Sequence, residues 1–183
     1  GYKGEGNPER LKTVCAEMGI GCDIIPKVER EGITVSSTYI RTLLESGDLD
    51  RARQFLGHPH QFTGTVVPGT RLGRTLGAPT ANLKVSPELL LPPHGVYACR
   101  VWVQGEAHLA VTNIGVRPTV SGQGLTIEPW LLDYDGDLYG QRITLELWHF
   151  LRGEQRFPSL EALQAEIHRN ASQTRAFFAA HST

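Results

Sequence analysis

A chain of 183 residues with 40% apolar side chains can bury a core, which argues against wholesale disorder, and a formal net charge of −1 argues against a protein held on nucleic acid by its overall field. Cys15, Cys22 and Cys99 form no C-x-x-C, so neither a disulfide framework nor a zinc ribbon is expected, and the plain reading is free thiols in a reducing cytoplasm. No apolar run approaches the ~20 residues that span a bilayer, and no basic segment followed by an apolar one opens the sequence, so no membrane partner or secretion signal is expected.

Two textures meet near residue 60. Before it, Pro8 starts a helical pattern carrying Leu11, Val14, Cys15 and Met18, which Gly19 ends. Cys22 to Val28 reads as a short strand. Ser36 or Ser37 then caps a helix bearing Ile40, Leu43 and Leu44, and Gly47 and Asp48 separate it from L-D-R-A-R-Q-F-L, which stops at Gly57. After His60 the chain reads as strands: Gln61–Val67, Tyr97–Val103, Ala107–Ile114, Leu125–Asp133 and Gln141–Leu151, separated by clusters such as V-P-G-T, L-P-P-H-G and D-Y-D-G-D. Five or six such strands with short turns predict a small closed barrel. A last helix follows Pro158, with Ser159 as N-cap, Glu161 in its first turn and an apolar stripe of Leu160, Leu163, Ile167 and Ala171.

The chemistry concentrates in the second part. G-T-R-L-G-R-T-L-G is not a Walker loop, and reads either as a surface hairpin or as a Gly/Arg loop suited to phosphate. It runs into G-A-P-T-A-N-L-K-V, where Thr80 and Asn82 share one face of an extended chain. Their oxygens are either hard ligands for Mg²⁺ or turn-makers bonded to backbone. Glu128 interrupts an apolar strand on the face of Trp130 and Leu132. It is either a water-facing carboxylate or one in an apolar pocket with general-base character. Asp133, Asp135 and Asp137 lack the glutamate that a calcium loop needs at its twelfth position, and read as a solvated hairpin tip. His58 and His60 have no ligand partner nearby in sequence.

Taken in order, G-R-T-L-G-A-P-T-A-N-L, H-G-V-Y-A, T-N-I-G-V-R-P-T, the glutamate strand with D-Y-D-G-D-L-Y-G, and F-L-R-G-E-Q-R-F resemble the riboflavin kinase module of bacterial bifunctional riboflavin kinase/FAD synthetases. The resemblance implies a mainly β fold, a six-stranded antiparallel Greek-key barrel with a C-terminal helix, over residues 61–183. Residues 1–60, with V-S-S-T-Y-I-R and L-x-x-G-D-L-x-x-A-R-x-F-L-G, resemble the end of a Rossmann-like nucleotidyltransferase domain. The implied reaction is ATP- and Mg²⁺-dependent phosphorylation of the riboflavin 5′-hydroxyl, giving FMN and ADP. By the same resemblance Thr80 and Asn82 match the Mg²⁺–nucleotide residues, Glu128 the catalytic base and Gly73 and Arg74 the loop over the phosphates. Arg175 matches a flavin-side arginine, and Ser36, Ser37, Thr38 and Arg41 match adenylyltransferase ATP contacts. Three residues depart from the pattern: Ala78 where Phe is usual, Pro129 after the glutamate, where a bulge is expected to re-aim the carboxylate, and Asn170 where an acid is usual. The H-x-G-H motif of the adenylylating half does not occur, so a truncated chain without FAD synthetase activity is expected. Two other readings stand beside the kinase: a flavin-binding regulator without turnover, and a small barrel binding nucleic acid or protein.

Overall fold

The structure, a computed structural model, describes residues 6–69, 78–119 and 122–181. Its contacts divide the chain after Ser36, and two further helices fall in the unit that holds the barrel. In the first unit, Asn7 caps helix α1 (Pro8–Glu17) by accepting a hydrogen bond from Arg10 N at 2.8 Å, and Pro8 takes the first helical position, where no N–H is needed. The segment expected as a strand at Cys22–Val28 is irregular. The two-residue strands β1 (Glu29–Arg30) and β2 (Ile33–Thr34) form instead beyond it, around Glu31 and Gly32 at φ 52° and 72°. A hairpin turn with both central residues at positive φ matches strand twist, and the turn outcompetes the apolar run before it.

In the second unit, α2 (Ser37–Ser46) and α3 (Leu49–Leu56) bury Leu43, Leu44, Leu49, Ala52 and Phe55, with Asp48 capping α3 and Gly57 ending it at φ 79°. Six strands follow: β3 (His60–Val67), β4 (Asn82–Lys84), β5 (Gly95–Val103), β6 (Glu106–Thr119), β7 (Gly122–Leu131) and β8 (Arg142–Arg152). All pairings are antiparallel, in the order β4-β3-β8-β5-β6-β7. β8 returns to lie beside β5 of the β5-β6-β7 meander, the arrangement of a Greek key. Two register shifts between β5 and β8, at Val96/Tyr97 and Ala98/Cys99, put bulges where the sheet must curl. Among the described residues the ends meet through the backbone bond Ala81 N to Pro129 O at 2.8 Å, so the barrel is nearly closed.

Alternation then fixes the two faces. Phe62, Val66, Leu83, Tyr97, Cys99, Val101, Ile114, Ile127, Leu131, Ile143, Leu145 and Leu147 are buried, on the inward parity of their strands. The final helix α4 (Leu160–Ala180), capped by Ser159, lies on the outside, where Ala171 packs with Val96, Val111 and Leu132. Its buried face is Asn170, Ala171, Thr174 and Phe178, whereas Leu160, placed in the apolar stripe from spacing, is 60% exposed. Leu163 and Ile167 are half-buried, and full burial begins only at Asn170, nearly three turns after Leu160. At the end of α4, Phe178 packs edge-on against Trp148. The buried Glu146 there accepts hydrogen bonds from Trp102 Nε1 at 2.6 Å and Trp148 Nε1 at 2.9 Å. Among the described residues no helix is long and apolar enough to cross a membrane.

Two tests follow from the packing. A methyl at Gly95 stands 2.5 Å from Arg152 O and 2.6 Å from the Phe150 ring, so Gly95→Ala costs about 2–3 kcal/mol in urea unfolding. Burial pushes the Cys99 thiol from 9.0 up to about 12, and pushes the Tyr97 phenol up as well. The folded state therefore disfavours both ionised forms, and their stabilisation is intact below pH 9 and lost as pH rises through the interval up to about 12. The urea midpoint falls across that interval and Cys99→Ala flattens the fall. A midpoint with the same slope in both proteins refutes it.

Candidate active site

The bond between Ala81 and Pro129 decides what stands beside what. Ala81 and Pro129 are both buried on the inner parity, so their neighbours Thr80, Asn82, Glu128 and Trp130 take the outer face, each half-buried. β4 and β7 run antiparallel, and one cleft of about 470 Å³ is lined by Val67, Gly69 and Asn82–Lys84 on one side and Leu125–Ile127 on the other. Asn82, after Ala81, and Glu128, before Pro129, thus flank the same bonded position across the seam.

Pro129 does this without a bulge. The β6–β7 register is unbroken from Ala110↔Leu131 to Thr119↔Gly122, which corrects the expectation that the proline re-aims Glu128. In an antiparallel strand the N–H and C=O of one residue point to the same side. Because Pro129 O points to Ala81, its missing N–H also lies on the seam, and the ladder to β6 loses nothing. Glu128 stays in register with Asn113, itself half-buried on the outer face.

Asn82 is held close by a glycine. A Cβ on Gly69 would fall 1.8 Å from Asn82 Nδ2, so the amide lies against the backbone where the Gly/Arg loop begins. Thr80 shares the outward parity but lines a second cleft, of about 310 Å³, with Val66, Leu131 and the turn Tyr134–Tyr139. Ala78, the departure beside them, is buried, 1% exposed. Asn170, the other departure, is 1% exposed and accepts from Arg152 Nε at 3.1 Å.

The remaining candidates are dispersed. α4 packs across β5 and β6 and reaches the end of β7, with His168 edge-on to Trp130 and Arg175 bonded to both carboxylate oxygens of Asp133 at 2.9 Å. Arg175 therefore sits past the C-terminal end of β7, beside Asp133, which lies five residues beyond Glu128 along the chain. Asp137 accepts from Tyr139 N at 3.0 Å, a turn-making bond. Ser37, Thr38 and Arg41 are exposed on the first turns of α2, and Ser36 closes the first unit. None of the four lines either cleft. Gly73 and Arg74 lie outside the described residues. Sequence reasoning did not single out Asn113, whose place opposite Glu128 rests on strand register.

Comparison with known proteins bears on the same stretch. Bifunctional riboflavin kinase/FMN adenylyltransferases are similar to it: that of Listeria monocytogenes is 38% identical over 180 residues, 98% of this chain and 57% of the relative, and that of Escherichia coli K12 is 45% identical over 175 residues, 95% of this chain and 56% of the relative. The chain spans just over half the length of these relatives. A solved structure described as a macrolide-efflux protein from Streptococcus pneumoniae aligns with TM-score 0.83 at 30% identity, over 93% of this chain and 55% of that one. The riboflavin kinase of Trypanosoma brucei aligns with TM-score 0.50 at 26% identity, over 64% of this chain and 78% of that one. The model of the Flavokinase family, riboflavin kinase, matches residues 56–178. This chain, whose barrel, seam and all but the last two residues of its final helix fall within that match, belongs to the riboflavin kinase family.

Proposed function

We propose that residues 61–183 form a kinase module that transfers the γ-phosphoryl group of ATP to the 5′-hydroxyl of riboflavin, giving FMN and ADP. Family membership supports the reaction. The assignment of roles rests on one observation, the Ala81–Pro129 bond that sets Glu128 across the seam from Asn82.

Glu128 accepts the proton of the 5′-hydroxyl as its oxygen bonds to the γ-phosphorus. The bond from that phosphorus to the bridging oxygen breaks in line, and ADP leaves. Thr80 and Asn82 offer neutral hard oxygens with no carboxylate, and among the described residues neither side chain has a hydrogen-bond partner. Such a pair fits a Mg²⁺ that arrives on ATP and keeps most of its waters, and the ion supplies charge neutralisation at the phosphates. Asn82 over Gly69 aligns the nucleotide side of the seam with the start of the glycine loop, and Glu128 with Asn113 forms the alcohol side. Arg175, held by Asp133, takes the flavin side at the end of β7.

The test is FMN formation from riboflavin and Mg–ATP by this chain, followed by chromatography. Glu128→Gln, which keeps size and removes the base, lowers kcat by about 10²–10⁴ while nucleotide binding persists. Asn82→Ala raises the KM for Mg–ATP by about tenfold, the size of one lost polar contact. Full turnover in Glu128→Gln would falsify the assignment of the base.

A further inference from the structure

The loop after β8, residues 153–158, is gripped at its first residue and reaches across to β6 with its second. Arg152 donates from Nη1 to Gly153 O at 3.1 Å and from Nε to Asn170 Oδ1 at 3.1 Å, and its Nε lies 3.3 Å from Glu166 Oε1. The Asn170 amide nitrogen donates to Glu166 Oε1 at 3.1 Å and Gln173 Oε1 at 3.2 Å. Both sides of a buried amide are thus engaged, and α4 fixes the base of the loop.

Next in sequence, Glu154 folds onto Gly115 of β6. A Cβ at Gly115 would stand 2.5 Å from Glu154 Oε1 and 3.6 Å from Asn113 Nδ2. Only a residue without a side chain leaves that slot open for the carboxylate. Asn113 is the register partner of Glu128, and residues 113 and 115 share the outer parity of β6. Glu154, Asn113 and Glu128 therefore follow one another along one stretch of the outer face: an acceptor, an amide and a second acceptor. Glu154 is exposed, so its carboxylate lies over the outer face at Gly115 and not in the core. Two carboxylates with an amide between them match a chain carrying several hydroxyl donors, and give an apolar chain nothing to hold.

We infer that Glu154 is a specificity-determining residue of this site, accepting a hydrogen bond from an inner hydroxyl of a polyhydroxylated substrate chain whose terminal hydroxyl meets Glu128. The inference rests on the kinase reading, with riboflavin's ribityl group as that chain. Arg152 and Asn170 act as positioning residues that aim the loop.

Steady-state kinetics with riboflavin varied at saturating Mg–ATP tests it. Glu154→Ala raises the riboflavin KM roughly tenfold, the size of one hydroxyl–carboxylate bond, with less than about a threefold change in kcat and no change in the KM for ATP. Glu154→Gln recovers part of the loss. Gly115→Ala fills the slot and matches Glu154→Ala, and the double variant is no worse than either. Wild type discriminates roughly tenfold against a deoxyribityl analogue that keeps its 5′-hydroxyl, and Glu154→Ala does not. An unchanged riboflavin KM in Glu154→Ala, or preserved discrimination against the analogue, overturns the inference. Should Gly115→Ala fail to fold, the two Glu154 variants decide. A wild-type chain that makes no FMN fails the kinase reading instead. The same variants are then read by quenching of riboflavin fluorescence, where an equal Kd for wild type and Glu154→Ala overturns the inference.

Discussion

One hydrogen bond between main-chain atoms, Ala81 N–H to Pro129 O, closes the curl of a sheet that otherwise ends in two separate edges. β4 and β7 are the first and last strands in the sheet order, so no local pairing brings Asn82 and Glu128 together. Their approach is a product of closure. The bulges in β8, the inward packing of Tyr97, Cys99 and Leu145, and the tight crossing at Gly95 all serve the curvature that lets that contact form.

The candidate residues Asn82, Asn113 and Glu128 share the outer face, and the inner face is filled mainly by apolar side chains. That division leaves the helix α4 with a double task. Through Ala171 it covers apolar surface on β5, β6 and the end of β7, and through Asn170 it holds Arg152 and the loop base. A polar group in a helix's buried face costs stability unless fully bonded, and Asn170 meets that condition with three partners. An uncharged amide can both accept from Arg152 and donate to Glu166, which a carboxylate at this position could not do.

Much of this was legible in the sequence because it is periodic or punctuated. The alternating strands, the Ser159 cap, the Gly57 stop and the common face of Glu128, Trp130 and Leu132 follow from local rules. What was hidden is non-local. β4 has three residues, too few to show a period, and exists because β3 pairs with it. The buried turn of α4 depends on Arg152, eighteen residues upstream of Asn170, so apolar spacing favoured Leu160 wrongly. The pairing of Asn82 with Glu128 and of Asn113 with Glu128 needs the register of a nearly closed barrel, which no single segment encodes. Pro129 looked like a disturbance because its neighbours did not reveal which side its nitrogen faces.

That proline also has a consequence for association between molecules. A sheet whose ends are held by so little main-chain bonding keeps two margins where a strand from another chain could add. On one margin β4 offers three residues, and on the other the ring of Pro129 stands where an amide hydrogen would otherwise be offered. A foreign strand finds too short a template on one side and an interrupted one on the other, so the seam makes a poor seed for edge-to-edge aggregation.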